Sequence, residues 1–204
     1  KLVDNDGPDF TGLMTDGISV LIATPAQGFT NSYDYARVYN QGYLDGTTPT
    51  SVMGVYGVVT TPSDMPTSGR ATYSGEAEGS YSDGTTNYDL DNGTSTVIAN
   101  FASGSVNVTM EGFDAVSRAS GASADVGFNG VNITGMGASG NQFSGGTITT
   151  VQDGAVVQIV GTRTQQNALG RFFGLDSSNN PDEVGGIGYL EGTGGSVRTI
   201  FLAD

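Results

Sequence analysis

The feature that most constrains this chain is a period of two. Short runs in which β-branched or aromatic residues alternate with small or polar ones recur along the sequence, each ended by Gly, Asn, Asp or Ser. Alternation at that period sends successive side chains to opposite faces, as a strand does and a helix does not. No stretch of ten residues carries a helical apolar stripe, so the expected class is all-β. Residues 18–24, 33–39 and 52–60 are the expected strands of the first part, with a turn-forming stretch of Asp45, Gly46, Thr47, Thr48 and Pro49 before the third. Pro62 and Pro66 then interrupt the pattern, because proline removes a backbone donor and is excluded from helix interiors and central strands. The break divides the chain into a smaller β-rich domain over 1–65 and a second domain over 66–204.

In the second domain the expected strands are 70–81, 95–103, 105–112, 126–134, 141–151, 156–162, 168–174, 184–191 and 197–202. Runs at this spacing predict an up-and-down antiparallel meander, closed as a small barrel or, failing closure, stacked as a sandwich. The first run shows the two faces. Ala71, Tyr73, Gly75, Ala77 and Gly79 lie on one, suited to a packed interior, while Thr72, Ser74, Glu76 and Glu78 lie on the other. An interior filled by side chains fits these residues at least as well as a ligand cavity. The strand glycines permit the coiling that a small closed sheet needs.

Three motifs carry a resemblance. The segment from Met65 to Gly75 (MPTSGRATYSG) is followed by GNQFSG from Gly140 to Gly145, and then by GRFFG from Gly170 to Gly174 with EVGG from Glu183 to Gly186. In this order they resemble the barrel domain of transferrin-binding protein B-like surface lipoproteins, over roughly the last two thirds of the chain. The resemblance implies an eight-stranded up-and-down antiparallel β-barrel preceded by a smaller β-rich handle domain, which agrees with the boundary drawn from the prolines. The chain departs from the pattern at Leu175, where members often have proline, and in its long polar loop at 176–182. Large members repeat the handle-and-barrel unit and bind transferrin mainly through the first copy; this chain holds one unit, so transferrin binding does not carry over. Related single barrels bind haem, haem carriers or host regulators, or have no known ligand. With no His in the chain, Met and Tyr are the axial haem ligands that remain. Members also carry an N-terminal lipidated Cys, which this sequence does not contain.

Composition narrows the function. There is no Cys and no His, which removes thiol nucleophiles, disulfides and the commonest general base and metal ligand. The net charge is −14, and the cations beyond Lys1 are Arg37, Arg70, Arg118, Arg163, Arg171 and Arg198, scattered singly. Nucleic acid needs clustered cations to displace phosphate counterions, so no nucleic-acid partner is expected. No apolar run is long enough for a transmembrane helix, and no direct membrane insertion is expected. A surface kept soluble by Ser, Thr, Asn and Asp suits export, to an extracellular or outer-membrane-surface location; a chain that opens on Lys1 without a leader reads as processed or truncated.

Several patterns mimic sites. Gly135, Met136, Gly137, Ala138, Ser139 and Gly140 satisfy GxGxxG after a strand, but no helix follows to present its N-terminus to a phosphate, so the motif reads as a hairpin loop. Asp4 with Asp6, and Asp89 with Asp91, are the only weak calcium candidates; neither pair completes a ligand loop with a distal Glu. Glu76 and Glu78 share a strand face about 6.5–7 Å apart, a spacing used in glycoside hydrolysis, yet a solvated face is the expected reading. No catalytic residue and no cofactor are expected, and the protein reads as a non-enzyme. Two functions remain: an exported or cell-surface module that binds a protein or small ligand through barrel or handle loops, with 82–93, 115–124 and 176–182 as the candidate loops; or a structural subunit that joins copies of itself into a fibre or layer by strand addition or head-to-tail contacts.

Overall fold

The structure is a computed structural model that describes residues 13–15, 20–25, 29, 33–45 and 48–204. Four antiparallel strands make the first sheet in simple order: β1 (Leu13–Thr15), β2 (Val20–Pro25), β3 (Ala36–Asp45) and β4 (Thr48–Gly57). β3 and β4 stay paired as far as Asp45 opposite Thr48, so of the expected turn residues Asp45, Thr48 and Pro49 belong to strands, while Gly46 and Thr47 lie outside the described residues. Residues 58–69 then cross to the second sheet without a strand of their own, through one 3-10 turn at Pro62–Asp64.

The alternation expected at 70–81 is realised in β5 (Arg70–Ser82): Tyr73, Ala77 and Tyr81 point into a core. The strands that follow are β6 (Asn87–Asn100), β7 (Ser105–Glu111), β8 (Asp114–Ser117), β9 (Ser123–Ala124), β10 (Gly130–Ser139), β11 (Gln142–Ser144), β12 (Thr147–Gln152), β13 (Ala155–Val157), β14 (Arg163–Phe173), β15 (Glu183–Gly192) and β16 (Gly195–Ala203). β11 and β12 run along β10 in a single register, so they act as one broken strand. β13 pairs with β12 and β14 with β11, making a second broken strand. Counted this way, eight strands close in up-and-down order, because β16 pairs back onto β5 over Ser196 to Ala203. The short β8–β9 hairpin is hydrogen-bonded outside this circuit, to the near end of β6.

Side chains fill the interior. Tyr73, Phe101 and Phe143 each lie 5.3–6.2 Å, centroid to centroid, from the buried ring of Phe172. Burial of each such ring contributes about 1.5–3 kcal/mol. In β16 the alternation disappears: Val197, Phe201 and Ala203 face the interior while Leu202 packs with Tyr33, Ala36 and Phe173 under the handle. A strand covered on both faces reads as a continuous apolar run, which is why Ile200 to Ala203 shows no polar member.

Three expectations are corrected. Residues 82–93 are mostly strand, not loop: only 83–86 turn, and Asp89, Asp91 and Asn92 sit within β6, where β8 covers its edge. The GxGxxG stretch is likewise strand up to Ser139, with the turn at Gly140 and Asn141. A bulge between Ile133 and Met136 switches the inward parity there, from Val131 and Ile133 to Met136, so a fixed period of two fails across it. Finally, 158–162, expected as strand, leaves the ladder, and strand structure resumes only at Arg163.

Candidate binding surfaces

The handle is fastened to the barrel by side chains that stand in for a ladder. Glu183, at the start of β15 and only 2% exposed, turns its carboxylate to three consecutive handle amides: Oε1 accepts from Asp34 N at 2.5 Å and Tyr35 N at 3.0 Å, and Oε2 from Ala36 N at 2.7 Å. Successive N–H groups make a natural anion nest, and these charge-assisted bonds offset the cost of burying the carboxylate. Tyr33 donates its hydroxyl to Leu202 O at 2.8 Å. The crossing segment joins in as Thr60 N donates to Phe172 O, Gly174 N to Val58 O, and buried Asn141 Nδ2 to Thr60 O at 2.5 Å. Gly174 has φ +60°, and a Cβ there would lie 2.1 Å from the Tyr35 ring. Only glycine serves, which explains the last residue of the GRFFG motif in physical terms.

Beside this lock lies a groove of about 310 Å³, with Tyr39, Met53 and Val55 on the handle side and Leu169, Arg171, Phe173 and Ile187 on the barrel side. Among the described residues five large hydrophobics are exposed; Tyr56, Val58 and Val59 lie on β4 and the segment leaving it, and Leu169 lines the groove itself. Tyr39 and Tyr56 stack obliquely at 6.0 Å.

The fifth, Val156, marks a second opening, a window in the barrel wall. If the Ser144–Leu169 register of β11 and β14 continued, Thr150 would face Arg163; it pairs instead with Val157, six residues earlier. The surplus loops out over 158–162 and bonds to the β15–β16 turn, through Thr193 N to Thr162 O and Gly194 N to Val160 O. Gly145 and Gly146, at φ +81° and +80°, break the facing strand opposite Ala168, just where the β11–β14 pairing ends. Ile148 is left without a strand partner on that side, and side chains replace it. Its N–H donates to Gln166 Oε1 at 3.1 Å, its carbonyl accepts from Arg163 Nη2 at 2.5 Å, and Gln166 Nε2 donates to Gly146 O at 3.2 Å. The cleft that remains has a volume of about 540 Å³.

The residues singled out in the sequence fall elsewhere. Asp4 and Asp6 lie outside the described residues. Asp89 pairs with Arg118 at 2.5 Å, while burial, then Asp89 and Asp114, push the neighbouring Asp91 above the ordinary carboxylate range. Among the described residues no three acidic side chains are grouped to hold a metal. Glu76 and Glu78 share the outer face of β5 as expected, but Glu78 is half-buried with Oε1 unpartnered, and burial followed by Asp91, Glu76 and Asp89 pushes it up to about 8. That face is therefore not simply solvated. Of the candidate loops, 115–124 is the β8–β9 hairpin, and 176–182 is a loop organised by Asp176, whose Oδ1 accepts from Ser178 N and Asn180 N at 2.8 Å each. Sequence reading missed Glu183 at the handle–barrel junction and Gln166 and Arg163 at the window; the only signal was the acid that opens EVGG.

No protein-family model matches the sequence, and no curated protein matches it significantly. Solved structures do. The chain is similar to intact Ap-TbpB (N and C lobes), at 17% identity and a TM-score of 0.61 over 99% of this chain and 39% of that one. A double mutant of the vaccine antigen Transferrin Binding Protein B from Haemophilus parasuis Hp5 gives 15% identity and 0.58 over 91% and 34%. Isotype 1 TbpB from serogroup B Neisseria meningitidis gives 17% identity and 0.57 over 98% and 35%. The chain thus spans 34–39% of the length of these proteins. At such identities the likeness is one of fold, and the fold is that of a transferrin-binding protein B-like lobe, a handle sheet set against a closed barrel.

Proposed function

We propose that this protein is a non-enzymatic, exported or cell-surface module, divided into a handle over 1–65 and a barrel over 66–204, that binds a protein partner across the face where the two meet. The observation that carries the reading is the groove between handle and barrel, lined by Met53, Val55, Leu169, Phe173 and Ile187, with Leu169 one of the five exposed large hydrophobics among the described residues. An apolar groove that also holds Tyr39 and Arg171 in its lining has the composition of an interface core. The lobe fold supports it, since the solved proteins that share the fold are named for binding transferrin. Transferrin itself is not proposed as the partner. The absence of His and Cys from the sequence supports a non-enzyme.

The test is capture from extracellular fluid with the wild-type chain and a Tyr56→Ser, Leu169→Ser variant in parallel, read by mass spectrometry. A partner held by the wild type and weakened about tenfold or more by the variant supports the reading. A partner held equally by both places the site elsewhere. Light scattering of the untagged chain separates the other class: regular polymers, grown by strand addition or head-to-tail contacts, would replace this reading with a self-assembling subunit.

A further inference from the structure

We propose that the window in the barrel wall binds a small anionic amphiphile, a carboxylate carried on an apolar body. Its floor is apolar and sheltered: Leu190 and Val160 are buried, with Val157 beside them. Its volume of about 540 Å³ lies within the roughly 300–1,000 Å³ of small-molecule pockets. The polar lining is one-sided. The chain carries 21 acidic and 7 basic residues, yet the residues around this cleft include Arg163 and no Asp or Glu. Arg163 spends Nη2 on the Ile148 carbonyl. A guanidinium has five N–H donors in a planar fork, so it retains donors for a carboxylate at the rim, where Thr162 also stands. An apolar body laid on Val157, Val160 and Leu190 would put its charged head beside Arg163. A cation of the same shape would meet no acid in the cleft.

The experiment uses the full chain with decanoate as probe and decyltrimethylammonium as its cationic counterpart, followed by amide chemical shifts. Saturable decanoate shifts confined to 148–163 and 190–194, with no saturable shift there from the cation, are expected. Arg163→Gln should weaken decanoate by about tenfold or more. Because that change also removes a structural bond, Val156→Asp is measured beside it: Val156 is 65% exposed, so the substitution leaves packing intact while placing a like charge at the cleft, and it should weaken decanoate as well. Absent or unsaturable shifts, equal binding of both probes, or unchanged decanoate affinity in Val156→Asp would overturn the proposal.

Discussion

The handle–barrel junction and the barrel window solve the same problem in opposite surroundings. At each, a hydrogen-bonded ladder stops and side chains take over the unpaired backbone groups. At the junction a single buried carboxylate, Glu183, collects three handle amides. At the window, exposed Arg163 and half-buried Gln166 share the two backbone groups of Ile148. The difference teaches that a substituted ladder is a lock only where water cannot compete. Inside, an unmade bond leaves an unsatisfied group; at the surface, water replaces much of what is lost.

The largest expected effect follows at the lock. Glu183→Ala removes the acceptor from the amides of Asp34, Tyr35 and Ala36, the last of them fully buried, and should cost about 3 kcal/mol or more, measured by urea unfolding. Limited proteolysis should then cut first in the handle while the barrel persists. A loss under about 1 kcal/mol would mean that burial does not distinguish the junction from the window.

The window should be more forgiving. Gln166→Ala removes the acceptor for Ile148 N and the donor to Gly146 O, both at a half-buried site, and should cost about 1 kcal/mol. Hydrogen exchange gives the sharper readout: the Ile148 amide should exchange faster, while that of Val131, inside the β7–β10 and β10–β12 ladders, keeps its protection. Equal acceleration at both would mean that Gln166 supports the whole wall rather than its opening.

The sequence displays the ladders and conceals the substitutions. Tyr73, Ala77 and Tyr81 announce the inner face of β5 because an unbroken strand keeps its parity. The same rule misreads Gly135 to Ser139, where a bulge shifts the parity, and it misreads 158–162, whose apolar Val160 fits a strand although its carbonyl bonds to the β15–β16 turn. Asp83, Gly84, Asp89 and Asn92 look like one long loop, yet only the first two belong to the turn. Glu183 was hidden for another reason. Its partners lie 147–149 residues away, so neither local propensity nor spacing could connect them. What was legible is local and periodic; what was missed is non-local, a single side chain answering backbone groups from a distant part of the chain.

Glu78 sharpens which property of the lock matters, and its effect is the smallest. It is a carboxylate on the barrel's outer wall, like Glu183, but Oε1 is buried without a donor, and burial with the neighbouring acids Asp91, Glu76 and Asp89 raises it to about 8. In the unfolded chain it ionises near the ordinary value of 4.5. Between these values the folded protein holds a proton that the unfolded chain releases, so stability is fully present below about 4.5 and falls as pH rises towards 8. Glu78→Gln keeps the shape and removes the charge. Near pH 4 it should leave Tm unchanged, and at pH 8 and above it should raise Tm by about 1–2 °C, the gain being limited because the group is half in water. If Glu78→Gln instead lowered Tm at pH 8, burial of a carboxylate would itself be stabilising on this wall. The grip of Glu183 would then owe less to its three amides than the junction geometry requires.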